Sequence, residues 1–384
     1  MAFRELLIAF IVILISAKTL GELMERIKQP AVLGELLAGV LVGTSVLGWV
    51  KPEHTLELLA EIGIVLLLFE IGLETDLKEM LRVGRDSLMV AVAGVAVPFL
   101  LGYFAMILMG GSNLVAVFVG ATLTATSIGI TAKVLSDLRK LGTVEAKIII
   151  GAAVADDILG LVILALVASL AEAGTVSLTT IVAALMKGVG FLVAAILIGN
   201  LLVHPLIRIV DLMRGRGILF LGALIFALTL AYLADLAGSA FIIGAFAAGI
   251  TLARTDRKKI IEERLQPVVD VFAPIFFVMV GIQVNISILN PLNPTNIPIL
   301  IIALVITVMA VVGKLVSGYV IPKRRANRLA IGIGMMPRGE VGLIFAQLGR
   351  ATGLFSHEIF SALVVVVMVT TFLAPPLLKV VLGR

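Results

Sequence analysis

Apolar stretches of about 20 residues recur along the whole chain, which is the length an α-helix needs to cross a bilayer. Inside a bilayer only helices and closed barrels satisfy all of their own backbone hydrogen bonds. The composition agrees, because charged residues make up 14% of the sequence, compared with about 25% in average soluble domains. The sequence therefore predicts an all-α integral membrane protein and excludes a soluble globular domain.

The positive charges indicate how the chain crosses the membrane. We divide it into thirteen apolar spans and assign the loops alternately to two sides. This places 23 of the 30 Lys and Arg residues on one side, 3 on the other and 4 within spans. Because cytoplasmic loops are enriched in Lys and Arg, the N-terminus is predicted outside and the C-terminus in the cytoplasm. The basic residues are topology signals and predict no nucleic-acid partner.

Two adjacent carboxylates, Asp156 and Asp157, lie near the middle of an apolar run from about Val144 to Ala171. A carboxylate at the centre of a bilayer is costly and is usually functional. Adjacent helix positions point about 100° apart, so the two groups are expected to meet different neighbours. A purely structural charge network is the alternative, and we favour a functional pair.

The fifth and twelfth spans contain signals for a broken helix. Residues 123–131 hold four hydroxyl side chains and a glycine, and residues 331–342 hold several glycines and Pro337. Hydroxyls can satisfy the carbonyls that an unwound helix frees, and proline cannot donate a backbone bond. Arg338 and Glu340 are predicted to act structurally, by pairing with each other or with exposed backbone, rather than by touching substrate.

One further charge and the order of the spans complete the pattern. Lys314 stands alone in the eleventh span, at a depth from which it is predicted to reach a carboxylate rather than only to extend to the interface.

Two halves of six spans on either side of a seventh have opposite orientations. Inverted repeats with interrupted helices in corresponding places are the plan of secondary transporters.

Other segments give weaker predictions. The second span carries four glycines at four- to five-residue spacing, which favours close helix packing. They are Gly34, Gly39, Gly43 and Gly48. Residues 254–266 form an amphipathic stretch that predicts an interfacial helix. Lys187 is expected to extend to the interface without a functional role, and no role is assigned to Glu70.

Together these motifs resemble the monovalent cation:proton antiporter superfamily, most closely its NapA-type bacterial and archaeal sodium/proton antiporters. The resemblance rests on residues 29–35, 125–131, 151–161, 313–314 and 336–343 and covers residues 5–382. It implies a homodimer in a prokaryotic plasma membrane, with two interrupted, crossing helices. It also implies a dimerisation domain (1–83 and 211–290), a core or transport domain (84–176 and 291–384) and a linker helix (177–210).

The resemblance also implies roles for individual residues. Asp157 would be the principal carrier of cation and proton, and Asp156 would pair with Lys314 until the cation binds. Thr126, Ser127 and nearby carbonyls would complete a shell of oxygens for a monovalent metal ion. The implied function is electrogenic exchange of Na⁺, and possibly Li⁺, for H⁺ by an elevator motion, without a cofactor and without enzymatic activity.

Three alternatives remain at this point. The first is a K⁺/H⁺ antiporter or a Kef-like K⁺ efflux protein, although the sequence holds no nucleotide-binding domain after its last span. The second is an intramembrane aspartyl protease, which adjacent carboxylates pointing apart fit poorly. The third is a passive channel, which a flux insensitive to a pH gradient would favour.

Overall fold

The computed structural model describes residues 3–27, 29–75, 82–173, 178–212, 217–284, 286–322 and 326–383. Within these residues the regular structure is helical, with no β-strand. The helices are α1 (Phe3–Arg26), α2 (Ala31–Val42), α3 (His54–Glu74), α4 (Gly84–Leu108), α5 (Asn113–Thr122), α6 (Ile128–Asp137), α7 (Val144–Ala173), α8 (Leu178–Leu212), α9 (Ile218–Leu236), α10 (Phe241–Leu252), α11 (Lys258–Ile282), α12 (Ile297–Gly318), α13 (Arg328–Gly334), α14 (Glu340–Ala351) and α15 (His357–Leu382).

Helix length and composition agree with a membrane protein. Six helical segments of the described chain are long and apolar enough to cross a membrane: α1, α4, α9, α11, Pro294–Gly318 and α15. Helices α2 and α10 are apolar but only 12 residues long, which is about 18 Å at 1.5 Å per residue. The number of spans, predicted as thirteen, therefore remains a prediction.

The helices pack into two groups. Helices α1, α2, α3, α9, α10 and α11 contact one another, and α4 to α7 pack with α12 to α15. Helix α8 contacts both α7 and α10. The main contacts between the groups are those of α6 with α2 and α3 and of α15 with α2. The division into a core and a dimerisation domain is a prediction that these contacts alone do not test.

Glycines bring helices of the first group into backbone contact. A Cβ atom built on Gly39 of α2 would lie 2.8 Å from the Cα of Gly281 in α11. Similarly, a Cβ on Gly72 of α3 would lie 2.9 Å from the Cα of Gly249 in α10. The prediction that glycines of the second span serve close packing is confirmed for Gly34, which meets the backbone of α1 at Leu20, for Gly39 and for Gly43. It is wrong for Gly48, which lies beyond the end of α2 with a φ of +65° and has nothing within 4 Å of its Cβ position.

One prediction about the helices was wrong. Residues 254–266 do not form a separate interfacial helix, because α11 runs without interruption from Lys258 to Ile282. The polar turns at its start continue directly into apolar turns, and Pro267 and Pro274 lie within the helix. A change from amphipathic to apolar composition therefore did not mark a helix boundary here.

Candidate functional site

Two interrupted helices of the second group meet at their breaks. Helix α5 ends at Thr122 and α6 begins at Ile128, while α13 ends at Gly334 and α14 begins at Glu340. We call the two non-helical segments, residues 123–127 and 335–339, the first break and the second break. Both lie where the sequence predicted broken helices.

Hydrogen bonds join the two breaks directly. The backbone N–H of Ser127 donates to the carbonyl of Pro337 at 2.8 Å, and the Thr126 hydroxyl donates to the carbonyl of Met335 at 3.1 Å. A Cβ on Gly339 would lie 2.8 Å from the Ser127 Oγ. Thr126 and Ser127 are almost fully buried, so each break supplies partners that the other lacks in the absence of water.

The two adjacent carboxylates lie on α7, beside the breaks. Asp156 is 1% exposed and Asp157 is 8% exposed. Asp156 faces α12, where its Oδ2 lies 3.2 Å from the Nζ of Lys314. Its Oδ1 has no hydrogen-bond partner among the described residues. Because a buried charge is costly unless it is paired, Lys314 supplies the compensating charge for Asp156 in this position.

Lys314 also contacts the first break. Its ammonium donates to the backbone carbonyl of Thr124 at 2.5 Å, and its side chain is fully buried. On α4, Gly94 lies beside this group, since a Cβ there would be in van der Waals contact with Nζ at 3.5 Å. The ammonium therefore lies between a carboxylate and a carbonyl oxygen, the kind of ligands that hard metal cations prefer.

Arg338 supports the first break from the second. Its fully buried guanidinium donates to the carbonyls of Leu123 and Ala125 in the first break, the latter at 3.1 Å, and to the carbonyl of Ala310 in α12 at 3.4 Å. The hydroxyl of Thr371 in α15 donates in turn to the carbonyl of Arg338. The guanidinium thus contacts backbone, which is one of the two structural alternatives that the sequence left open.

Three carbonyls of the first break consequently already accept hydrogen bonds from buried cationic side chains. Sequence reasoning treated the carbonyls of this segment as free to bind an ion. It predicted that Arg338 pairs with Glu340 or with exposed backbone, but it did not identify these carbonyls, because the partners lie more than 200 residues apart. The side chain of Glu340 lies outside the described part of the structure. Lys187 is exposed and approaches Gly238 at the end of α9.

A cavity of about 310 Å³ lies between the two helix groups. Residues of α3, α10 and α11 form one wall, and residues of the second break and of α15 form the other. Exposed Glu57 and Glu61 stand at its edge, on the side where α3 begins. The cavity reaches Gly339 and Thr371, so it extends from that surface to the second break.

Comparison with known proteins identifies the family of this fold. A family model described as sodium/hydrogen exchanger, transmembrane, matches residues 6–383. The high-affinity Na⁺/H⁺ antiporter NhaS3 of Synechocystis is 43% identical, covering 98% of this chain and 89% of the relative. The Na⁺/H⁺-K⁺ antiporter GerN of Bacillus cereus is 39% identical over 97% of this chain and 95% of its own length.

Solved structures agree at the level of the fold. The structure of the sodium proton antiporter MjNhaP1 from Methanocaldococcus jannaschii matches with a TM-score of 0.74 and 17% sequence identity. That match covers 100% of this chain and 97% of the other. The chain is therefore a membrane transporter rather than an enzyme, and it belongs to the sodium/hydrogen exchanger family.

Proposed function

We propose that this protein exchanges Na⁺ for H⁺ across the membrane, using Asp157 as the principal carrier and Asp156 as its partner. The observation that carries the proposal is the buried arrangement of these two acids with Lys314, at the point where two interrupted helices meet. Such an arrangement matches the binding sites of secondary transporters. The names of NhaS3, GerN and MjNhaP1 support Na⁺ as the substrate.

Exchange follows from competition for the same oxygens. A proton or a Na⁺ ion can each neutralise a carboxylate, and a site with an uncompensated charge is costly to move through the bilayer. Na⁺ that binds to Asp156 and Asp157 displaces the ammonium of Lys314 from Asp156. Thr126 and Ser127 of the first break supply further oxygens. Only forms of the site loaded with Na⁺ or with protons then change sides, which couples the two fluxes.

The finer features predicted from the sequence belong to the same proposal. The protein is a homodimer with thirteen spans, an external N-terminus and a cytoplasmic C-terminus. The helix group of α4 to α7 and α12 to α15 is the transport domain and moves against the other group as an elevator. The pair of acids with one lysine resembles that of electrogenic antiporters, so that more protons enter than cations leave in each cycle.

The cavity supports a particular state of this cycle. In the predicted topology the start of α3, with Glu57 and Glu61, lies on the outer side. The cavity then opens outwards and ends at Gly339, which contacts the first break. Carboxylates at its edge would attract cations electrostatically.

The test is Na⁺-driven proton movement in proteoliposomes. We expect the unsubstituted protein to move protons when Na⁺ is added, and Asp157→Asn to reduce the rate by at least about 100-fold, as expected when the ion-carrying charge is lost. Asp235→Asn, which neutralises an exposed acid near the end of α9, is the matched control and should retain activity. Exchange that persists in Asp157→Asn would contradict the proposal.

K⁺/H⁺ exchange is the second candidate, because the name of GerN includes K⁺. The same vesicles distinguish the two when K⁺ or Li⁺ replaces Na⁺. Proton movement with K⁺ equal to that with Na⁺ favours a bifunctional antiporter. Cation flux that ignores the pH gradient favours a channel.

A further inference from the structure

The end of α6 that lies away from the breaks carries a cluster of charges at the boundary between the two helix groups. Lys133 and Asp137 of α6 form an ion pair with 3.0 Å between Nζ and Oδ1, and their side chains are only 21% and 13% exposed. A pair that is mostly shielded from water is screened less than an exposed pair. We call Lys133, Asp137, Glu35 and Glu70 the Lys133 cluster.

Asp137 also reaches across the boundary to the start of α2. Its Oδ2 accepts the backbone N–H of Val32 at 3.4 Å. Helix α2 begins after Pro30, and no side chain of its own caps it. A carboxylate at a helix N-terminus satisfies a free N–H and is favoured by the helix dipole. Asp137 of one helix group thus serves as the cap of a helix in the other.

Lys133 compensates carboxylates on two helices of the first group. Glu35 of α2 is 4% exposed, and its Oε2 has no hydrogen-bond partner within the described residues. The charges that act on Glu35 include Lys133 and Asp137 of α6, Lys18 of α1 and Asp270 of α11. Lys133 is also within electrostatic reach of Glu70 on α3. If α6 moved away, Glu35 and Glu70 would lose this positive charge, which is unfavourable for groups with little access to water.

The opposite end of the same boundary is open. There the cavity separates α3 and α11 from the second break and α15. Gly129 at the start of α6 faces Ile64 of α3, which also lines the cavity. Nearer the Lys133 cluster α6 packs against α2 and α3, and its Val134 and Leu135 are fully buried. The ion pair, the cap and the buried acid therefore lie at the closed end of the boundary.

We propose that the Lys133 cluster is a latch that holds this end closed and must be released whenever the site opens towards it. The latch rests on the proposed function, because alternating access requires this end of the boundary to close and reopen in each transport cycle. It assigns Asp137 two simultaneous roles, as partner of Lys133 and as cap of α2. Weakening it shifts the population of closed and open forms towards the open form.

The chain contains no cysteine, so a single introduced thiol can report on this boundary. Ala132→Cys is suitable because Ala132 is fully buried and follows Gly129 by three residues, which places it on the same face of α6. The experiment measures the rate at which a membrane-impermeant maleimide labels this thiol in inverted vesicles, where the predicted cytoplasmic side faces the reagent.

Asp137→Ala removes both the cap and the ion pair. We expect labelling to accelerate about tenfold, the factor that corresponds to the loss of one cap and one partly buried pair. Glu22→Gln is the matched control, since it breaks the exposed pair of Glu22 with Arg26, 2.9 Å apart, and should leave the rate unchanged. Asp137→Asn retains an acceptor for Val32 and should give a smaller acceleration.

Failure of the latch and failure of the proposed function are distinguishable. In the same reporter, Asp157→Asn should abolish exchange without accelerating the labelling. If Asp137→Ala does not assemble, the labelling rate is measured in Asp137→Asn and Lys133→Gln instead. Unchanged labelling in every assembled variant of Asp137 and Lys133, whatever their transport activity, would overturn the latch.

Discussion

Lys314 is the residue on which the charge balance of the site depends. Its ammonium has two oxygen partners in the described structure, the Asp156 carboxylate and the Thr124 carbonyl. Both side chains of the ion pair are fully buried. Removing one partner of such a pair leaves an uncompensated buried charge, whereas removing both does not.

A double-mutant cycle tests this dependence. Lys314→Met should lower the free energy of unfolding by about 3–5 kcal/mol, because Asp156 is left buried and charged. Asp156→Asn should also destabilise, and the double variant should be more stable than the sum of the two losses predicts. Thermal unfolding in detergent measures each variant. Additive losses would show that the pair does not stabilise the folded protein as a unit.

Arg338 tests whether shape as well as charge matters at the breaks. Lysine keeps the positive charge but lacks the planar fork that reaches several carbonyls. Arg338→Lys should therefore lose hydrogen bonds to the first break and destabilise by about 1–3 kcal/mol, and it should slow exchange. Arg350→Lys is the control, since Arg350 is exposed and lies 4.6 Å from the ring centroid of Phe360. Equal effects of the two changes would contradict the role of Arg338.

At the scale of helices, local chemistry predicted the elements better than their contacts. The breaks were predictable because four hydroxyl residues in one span and Pro337 in the other oppose a continuous helix. The partners were not predictable. Thr131 of α6 donates to the carbonyl of Gly334 at 2.7 Å across 203 residues, and Asp137 reaches Val32 across 105 residues. Such contacts depend on how helices pack, which a single sequence does not specify.

Glycine contacts give a prediction at this scale. Gly249→Ala should destabilise by about 1–3 kcal/mol, because the new Cβ would lie 2.7 Å from the Cα of Gly72 and two backbones would have to separate. Gly190→Ala in α8 is the control, since nothing lies within 4 Å of its Cβ position. It should stabilise by about 0.5–1 kcal/mol through helix propensity. Thermal unfolding compares the two, and equal destabilisation would refute the packing argument.

For the whole molecule, the two ends of the boundary between the helix groups differ. One end holds the cavity with acidic residues at its edge, and the other holds the Lys133 cluster. The bias of 23 Lys and Arg residues to 3 predicts that the cavity lies on the outer side. Charge counting and packing are independent observations, so together they predict both the sidedness of the protein and the state that the structure represents.

Thiol labelling from the two sides tests that combination. Met368→Cys places a thiol in the wall of the cavity, and Glu263→Cys places one on an exposed turn near the start of α11. An impermeant maleimide should label the first in right-side-out vesicles and the second only in inverted vesicles, because the positive-inside rule puts α11's start in the cytoplasm. Labelling of both from one side would contradict the topology. A third outcome is that Glu263→Cys is labelled only in inverted vesicles, while Met368→Cys is labelled from neither side. That outcome would support the topology and would show that the open cavity is not a populated state.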